Sequence, residues 1–333
     1  MSTPPDATSH ARQRFLLIAT AGLGGLLYGV DVGIIAGALP YLEATSGLNA
    51  GQVSFIVAAV MLGNVISTLF AGVLADFFGR RWMMVVAGVT FVVSIPIISM
   101  AQGYVPLLLG RVLQGISAGL IGVVVPLYLA ECLGATSRGK GTAVFQWMLT
   151  FGIMAAALIG MYFSEALDHV AQGGSSDQIF AFKDSAWRNI FWVSLPPGLL
   201  FVVGALMLAE SPRWLLRRGR TEDARAVLLR SRTQAEADTD LADMGASITA
   251  ESAGTALKES LFQRRYVIPF LLACVILACN QLTGVNSIIG YCATILTQSG
   301  LDDVQSHRGY LILTVVNFLC TMVGVLLVDR KGR

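Results

Sequence analysis

The chain has 333 residues, of which 55% are hydrophobic and only 13% are charged, against roughly 25% charged in soluble domains. Its formal net charge of +2 gives no indication of a nucleic-acid partner. Because helices of soluble proteins carry a polar face, this composition excludes an ordinary soluble protein and predicts a multi-pass protein embedded in a lipid bilayer.

Eight apolar stretches are long enough to cross a bilayer, which takes about 20 helical residues. They cover residues 15–37, 51–75, 82–102, 106–131, 142–163, 189–209, 267–297 and 309–328. The polar residues 1–14 are expected to form a cytoplasmic tail, since no cleavable signal precedes the first span. Nearly all Lys and Arg residues then fall on the same side, which predicts a cytoplasmic N-terminus in the plasma (inner) membrane.

A polar segment divides the spans into two groups. The predicted units are a six-helix bundle over 15–209, a cytoplasmic helical linker over 210–265 and a partial second bundle of two helices over 266–333. Within the linker, Thr221–Leu229 and Thr233–Met244 have the composition of short helices. Between the fifth and sixth spans, the glycine- and serine-containing segment Ser164–Ala186 predicts a mobile outer loop.

Two opposite charges lie well inside predicted spans. Ionisable groups in a membrane are costly and usually face a partner or a cavity. Asp31 lies about 9 Å, and Arg111 about 7.5 Å, from the outer end of its helix. This matched depth predicts that they pair. The pair could carry a coupling proton, with Asp31 protonated in one state and paired in another, or it could be a static ion pair.

A charged turn follows the second span and recurs, as Asp329–Arg333, about 250 residues later, which indicates a duplicated bundle. Acidic and basic residues at the same membrane level predict a network that holds the cytoplasmic helix ends together. Its expected members are Asp76, Arg80, Glu131, Arg138, Glu210, Arg213, Asp329 and Arg333. The alternative is that these charges only set orientation, but orientation depends on Lys and Arg rather than on acidic residues.

Polar side chains interrupt the seventh span between Asn280 and Asn286, where Gly284 weakens the helix. Amides offer both donors and acceptors, which suits a neutral polyhydroxy ligand. The expected binding residues are Gln146, Asn280, Gln281, Asn286, Tyr291 and Asn317. The alternative is that the amides join helices to one another. The three histidines lie outside the spans, and no nucleophile–base pair, metal set or cofactor motif indicates an enzyme.

Several motifs, in their order along the chain, resemble those of the sugar porter family of the major facilitator superfamily. The resemblance extends from Tyr28 to Arg333. The motifs include Tyr28–Asp31, Gly72–Arg81, Gly110-Arg111, Glu131 with Arg138, Gln146, Glu210–Arg213, Gln281 with Asn286, Asn317 and Asp329–Arg333. The resemblance implies alternating access, with a sugar bound between two halves, and an Asp at position 31 is typical of proton symporters. Asn280 replaces a usual glutamine, and Tyr291 stands alone where the family has paired tyrosines.

The sequence therefore predicts an all-α membrane protein of the major-facilitator type, with six helices of the first half and two of the second. The predicted function is transport of a hexose or pentose, coupled to protons. The alternatives are a polyol or organic acid in the same fold, or a non-transporting truncated product or sugar sensor. Because four helices of the resembled family have no counterpart here, we expect the chain expressed alone to insert in membranes without net sugar uptake.

Overall fold

The structure, a computed structural model, describes residues 7–133, 135–256 and 263–331. Within these ranges the regular structure is α-helical, which confirms the predicted all-α class. The helices are α1 (Ala7–Thr45), α2 (Ala50–Phe78), α3 (Arg80–Ser99), α4 (Tyr104–Cys132), α5 (Ala135–Ala171), α6 (Ser176–Trp192), α7 (Leu195–Met207), α8 (Pro212–Arg217), α9 (Thr221–Leu229), α10 (Gln234–Ala256), α11 (Arg264–Leu282), α12 (Val285–Gln298) and α13 (Asp303–Lys331).

Seven helical stretches among the described residues are long and apolar enough to cross a membrane. They correspond to the first seven predicted spans, with α6 and α7 together forming the sixth and α11 and α12 the seventh, although the third and sixth end two or three residues earlier than predicted. The eighth predicted span lies in α13, a helix of 29 residues that is not among these seven.

The outer-loop prediction for Ser164–Ala186 is wrong. Helix α5 continues to Ala171 and α6 begins at Ser176, so that only a short connection separates them. Ser175 and Gln178 form a reciprocal capping box at the start of α6, in which each side chain accepts from the other residue's backbone N–H. This local cap starts a helix that the glycine- and serine-rich composition of the segment concealed.

Two of the predicted spans each consist of two helices, because proline or glycine residues interrupt the helix. The sixth is interrupted at Val193 and Ser194, after which prolines without a backbone N–H occupy the first turn of α7. The seventh is interrupted at Gly284, which has a φ of 72° and separates α11 from α12. A left-handed backbone favours glycine, and the expected weakening of the helix there is confirmed.

Glycines let two pairs of membrane helices approach closely. A Cβ atom at Gly29 of α1 would overlap the backbone of Leu149 on α5, and one at Gly115 of α4 would overlap the backbone of Val60 on α2. Small residues at such contacts are the usual basis of helix packing in membranes. Two buried apolar clusters lie among the first seven helices, and a smaller one joins α1 and α5 to α12 and α13. The described side chains of α11 include no buried one.

Short helices in the polar segment are confirmed. Helix α9 spans Thr221–Leu229, as predicted, and α10 begins at Gln234, close to the predicted start, but continues to Ala256. Arg232 anchors this segment to the membrane helices, because its guanidinium donates to the carbonyl of Cys132 at the end of α4 and pairs with Asp240. The segment therefore packs against the bundle end that carries the α2–α3 turn.

Candidate functional site

Asp31 and Arg111 meet in the interior of the bundle. Their side chains are 1% and 2% exposed, and Arg111 Nη1 lies 3.9 Å from Asp31 Oδ1. Neither carboxylate oxygen of Asp31 has a hydrogen-bond partner among the described residues. Helices α1 and α4 thus bring the two opposite charges together, at a distance that is longer than a direct hydrogen bond.

Arg111 has two further partners that the sequence reasoning missed. Its Nη1 donates to Gln114 Oε1 at 2.6 Å, and its guanidinium lies 5.7 Å from the ring centroid of Phe191. Gln114 is three residues after Arg111 on the same helix, so the two side chains share a face. That spacing is the signal by which Gln114 could have been found. The guanidinium is therefore held by an amide and a ring as well as by the distant carboxylate.

At the α2–α3 turn, Arg80 is the centre of a buried network. Its side chain is 2% exposed, its Nη2 lies 2.9 Å from Glu131 Oε1 and its Nε lies 2.8 Å from Glu131 Oε2. The same Nη2 lies 2.6 Å from Asp76 Oδ1. Ser211 Oγ donates to Glu131 at 2.5 Å. The network joins the ends of α2, α3 and α4 to the start of α8.

Glu210 holds the first turn of α3. Its Oε1 accepts from the backbone N–H groups of Arg80 at 2.9 Å, Arg81 at 3.0 Å and Ser211 at 2.9 Å. The residue between α2 and α3 is Gly79, with a φ of 98°, and a Cβ there would overlap the Glu210 carboxylate. A negative charge at a helix N-terminus satisfies orphan donors and interacts favourably with the helix dipole.

The remaining expected members of this network stand as follows. Arg213 is half-buried on α8, directly after the Pro212 that begins that helix. Arg138 and Asp329 lie on α5 and α13, with side chains outside the described part, and Arg333 lies outside the described residues. Arg217, which was not expected, lies 3.8 Å from Asp76 and extends the network to α8.

The expected ligand amides are only partly brought together. Asn286 Nδ2 donates to Gln281 Oε1 at 2.9 Å across the α11–α12 break. Asn317 accepts from Thr321 on its own helix, while Asn280 and Gln146 are exposed. Tyr291 is half-buried on α12. The structure thus places one amide pair at the break, and no described hydrogen bond joins the other expected side chains to this pair.

The sequence matches the family described as "Sugar (and other) transporter" over residues 17–333. The chain belongs to this family. It is 32% identical to the galactose-proton symporter of Escherichia coli K12 and 30% identical to the arabinose-proton symporter of the same strain. Each alignment covers 99% of this chain, with 68% of the first relative and 66% of the second. The glucose transporter GlcP of Staphylococcus epidermidis is 29% identical, over 96% of this chain and 67% of its own length.

Solved structures show the same fold. The xylose transporter XylE from E. coli, in a partially occluded inward-open conformation, superposes with a TM-score of 0.77 at 23% identity, covering 96% of this chain and 74% of XylE. The fold is therefore that of the major facilitator superfamily, as the sequence predicted. The chain spans about two thirds of the length of the curated relatives described here. These relatives are transporters, and the chain is a transporter-family protein rather than an enzyme.

Proposed function

We propose that this protein carries a hexose or pentose across a membrane together with a proton, by alternating access. Family membership and the names of relatives, which include galactose- and arabinose-proton symporters, support the reaction. The family architecture supports a sugar site between the first six helices and those that follow the linker. No cofactor is required for such a reaction, because the proton gradient drives it.

The observation that carries the proposal is the buried Asp31–Arg111 pair. An ionised carboxylate without a hydrogen-bond donor is costly in a buried site, whereas a protonated one carries no charge. Arg111 already has an alternative acceptor, Gln114 at 2.6 Å. We propose that Arg111 stays with Gln114 while Asp31 holds the proton, and approaches Asp31 when the proton leaves. A change in one distance then links proton release to helix movement.

Sugar binding is proposed for amide and tyrosine side chains of α5, α11, α12 and α13. Gln281 and Asn286 already form one hydrogen bond, and each amide retains further donors or acceptors for hydroxyl groups. Gln146, Asn280, Tyr291 and Asn317 complete the proposed set. The inter-residue bond between Gln281 and Asn286 fixes their orientation before a sugar arrives.

The proposed orientation places the α2–α3 turn in the cytoplasm of a plasma (inner) membrane, with the N-terminus on the same side. The concentration of Arg residues at this end supports it, because cytoplasmic loops carry an excess of Lys and Arg. The Arg80 network would then close the cytoplasmic side of the bundle in one state and open in the other. We propose the same units as before: a six-helix bundle over 15–209, a linker over 210–265 on the cytoplasmic side, and a partial second bundle over 266–333.

The substitution Asp31→Asn, made in the whole protein that the gene encodes, tests the coupling of sugar transport to protons. Uphill accumulation of radiolabelled sugar in proteoliposomes with an imposed proton gradient should be lost, because Asn cannot exchange a proton. Exchange of sugar across the same membrane should be retained. Asp177→Asn, at an exposed position in the first turn of α6, is the matched control and should accumulate sugar like the parent. Unchanged accumulation by the Asp31 variant would refute proton coupling at this residue.

A further inference from the structure

A hydrogen-bonded cluster joins α13 to α1 and α5 at the bundle end away from the α2–α3 turn. Asp303 Oδ2 accepts from the hydroxyl of Tyr41 on α1 at 3.1 Å and from Ser164 on α5 at 2.6 Å. His307, one turn after Asp303, stacks on Tyr41 with ring centroids 5.8 Å apart and planes 6° from parallel. We call these four residues the Asp303 cluster. Its hydrogen bonds connect α1 and α5 to α13, the last described helix.

A hydrogen bond to a backbone carbonyl fixes which ring nitrogen of His307 carries the hydrogen when the ring is neutral. Its side chain is 0% exposed, and its Nδ1 lies 2.9 Å from the carbonyl oxygen of Asp303. Because a carbonyl only accepts, Nδ1 carries the hydrogen, which assigns the lone pair of the neutral ring to Nε2. Nε2 is buried and has no hydrogen-bond partner among the described residues. Gly160 of α5 packs against this side of the ring, where a Cβ would lie 3.3 Å from Cδ2.

The charges around the ring are mostly acidic. Asp303 Oδ1 lies 3.6 Å from Nδ1, and its side chain is 31% exposed. A cavity of about 370 Å³ lies beside Asp303 and is also lined by Asp168 and Arg308. Arg308 lies 3.4 Å from Glu165 of α5. Carboxylates therefore outnumber cations around the ring, and the cavity gives water a route to Asp303.

The described contacts that α1 and α12 make with this cluster involve no charged group of their own. Helix α1 presents the Tyr41 hydroxyl, which is committed to Asp303. Helix α12 contains no Asp, Glu, Lys, Arg or His, and its contact with α13 at this level is a hydrogen bond between Thr297 and Ser306 at 2.9 Å. Its titratable side chains are Tyr291 and Cys292. The charged groups in the described contacts around His307 therefore lie on α13 and α5.

We propose that His307 is a second proton-binding group, separate from Asp31, and that its protonation separates α13 from α1 and α5 at this end. A proton on Nε2 creates a charged N–H without an acceptor, and leaving such a donor unsatisfied is costly. The carboxylate of Asp303 lies on the opposite side of the ring and already accepts two hydrogen bonds. The protonated ring gains an acceptor only when water reaches Nε2, which requires α13 to move away from Gly160.

Direct titration of the ring is the first test. The chain has only three histidines, so ¹⁵N-histidine NMR of the intact protein in nanodiscs resolves each of them, with His10→Gln and His169→Gln giving the assignments. The neutral ring of His307 should gain a proton as the pH is lowered. A ring that stays in one state as the pH is lowered overturns the proposal. Sugar is absent, so the result is independent of the proposed transport function.

Helix separation is the second test. Nitroxide labels at the exposed positions Ala171→Cys and Gln305→Cys, with exposed native cysteines replaced by serine, report the α5–α13 distance. This distance should increase as the pH falls through the His307 titration. The exposed His169→Gln variant should behave like the parent, and His307→Asn, which keeps a side-chain donor, should show no pH-dependent increase. The same increase in His307→Asn, or none in the parent, overturns the proposal.

A substitution at another residue of the Asp303 cluster tests the same mechanism without relying on the folding of His307→Asn. Tyr41→Phe removes one of the two donors to Asp303 Oδ2. The carboxylate then attracts the protonated ring more strongly, so that both the NMR titration and the distance change should move to higher pH. A merely structural role for Tyr41 would lower stability without moving either midpoint, and that outcome, like a shift to lower pH, contradicts the mechanism.

Discussion

Replacing Glu210 by alanine should lower the free energy of unfolding by about 3 kcal/mol, at about 1 kcal/mol for each of three hydrogen bonds. Its Oε1 accepts three backbone N–H groups at 2.9–3.0 Å, two of them in the first turn of α3. Alanine leaves these donors without their acceptor. Bonds to charged groups can contribute about 1.5–3 kcal/mol, but Glu210 is only half-buried, so water replaces part of what is lost.

Equilibrium unfolding in mixed micelles, followed by tryptophan fluorescence, measures this difference. Glu210→Gln keeps an oxygen at the same position and loses only the charge at the helix N-terminus, at a cost of about 0.3–1 kcal/mol. Asp223→Asn removes the exposed Asp223–Arg220 pair, separated by 2.7 Å, and should cost less than about 1 kcal/mol. The reasoning is refuted if Glu210→Ala costs no more than Asp223→Asn, or if Gln is as harmful as Ala.

Three further predictions follow from other parts of the chain. Gln281→Ala should weaken sugar binding about tenfold, since two potential hydrogen bonds contribute about 0.5–1.5 kcal/mol each; unchanged binding by calorimetry would favour a purely interhelical role. Gly29→Ala should destabilise the fold by about 1–3 kcal/mol through overlap with α5, whereas Gly72→Ala, which meets open space, should not. Hydrogen bonds from Thr233 lower the pKa of Glu236, so the stabilisation of α10 is present above the ordinary glutamate value and is lost as pH falls through the lowered one. Hydrogen exchange of α10 should therefore accelerate in acid, and less so in Thr233→Val.

The features that were best predicted from the sequence are those that the membrane constrains most strongly, namely the positions of the spans and of the charges inside them. Hydropathy located the spans, because a helix must be apolar over the whole bilayer. The pairing of Asp31 with Arg111 was predicted from their equal depth in the membrane, because helices that cross the same layer place residues of equal depth side by side. Gly284 marked a break because the residue type itself favours a left-handed backbone.

Interactions that depend on a side chain reaching another element were harder to foresee. Asp76 lies against Arg80 and Arg217, as a member of the expected network, but the acceptor at the start of α3 is Glu210, 130 residues after Arg80. Nothing in local sequence indicates such a partner. The loop prediction for Ser164–Ala186 relied on composition and overlooked a capping box, which is a two-residue signal within a flexible-looking segment.

The glycine contact between α1 and α5 constrains how this protein can change over evolution. Backbone against backbone leaves no side chain to absorb a shift, so these two helices behave as one rigid piece. Asp31 lies on one of them and Gln146 on the other. A substitution that reorients α5 near Gln146 therefore displaces the Asp31 carboxylate by a similar amount. The proposed sugar contact of Gln146 and the position of the buried charge are thus inherited together, and altering one without the other requires compensating changes on both helices.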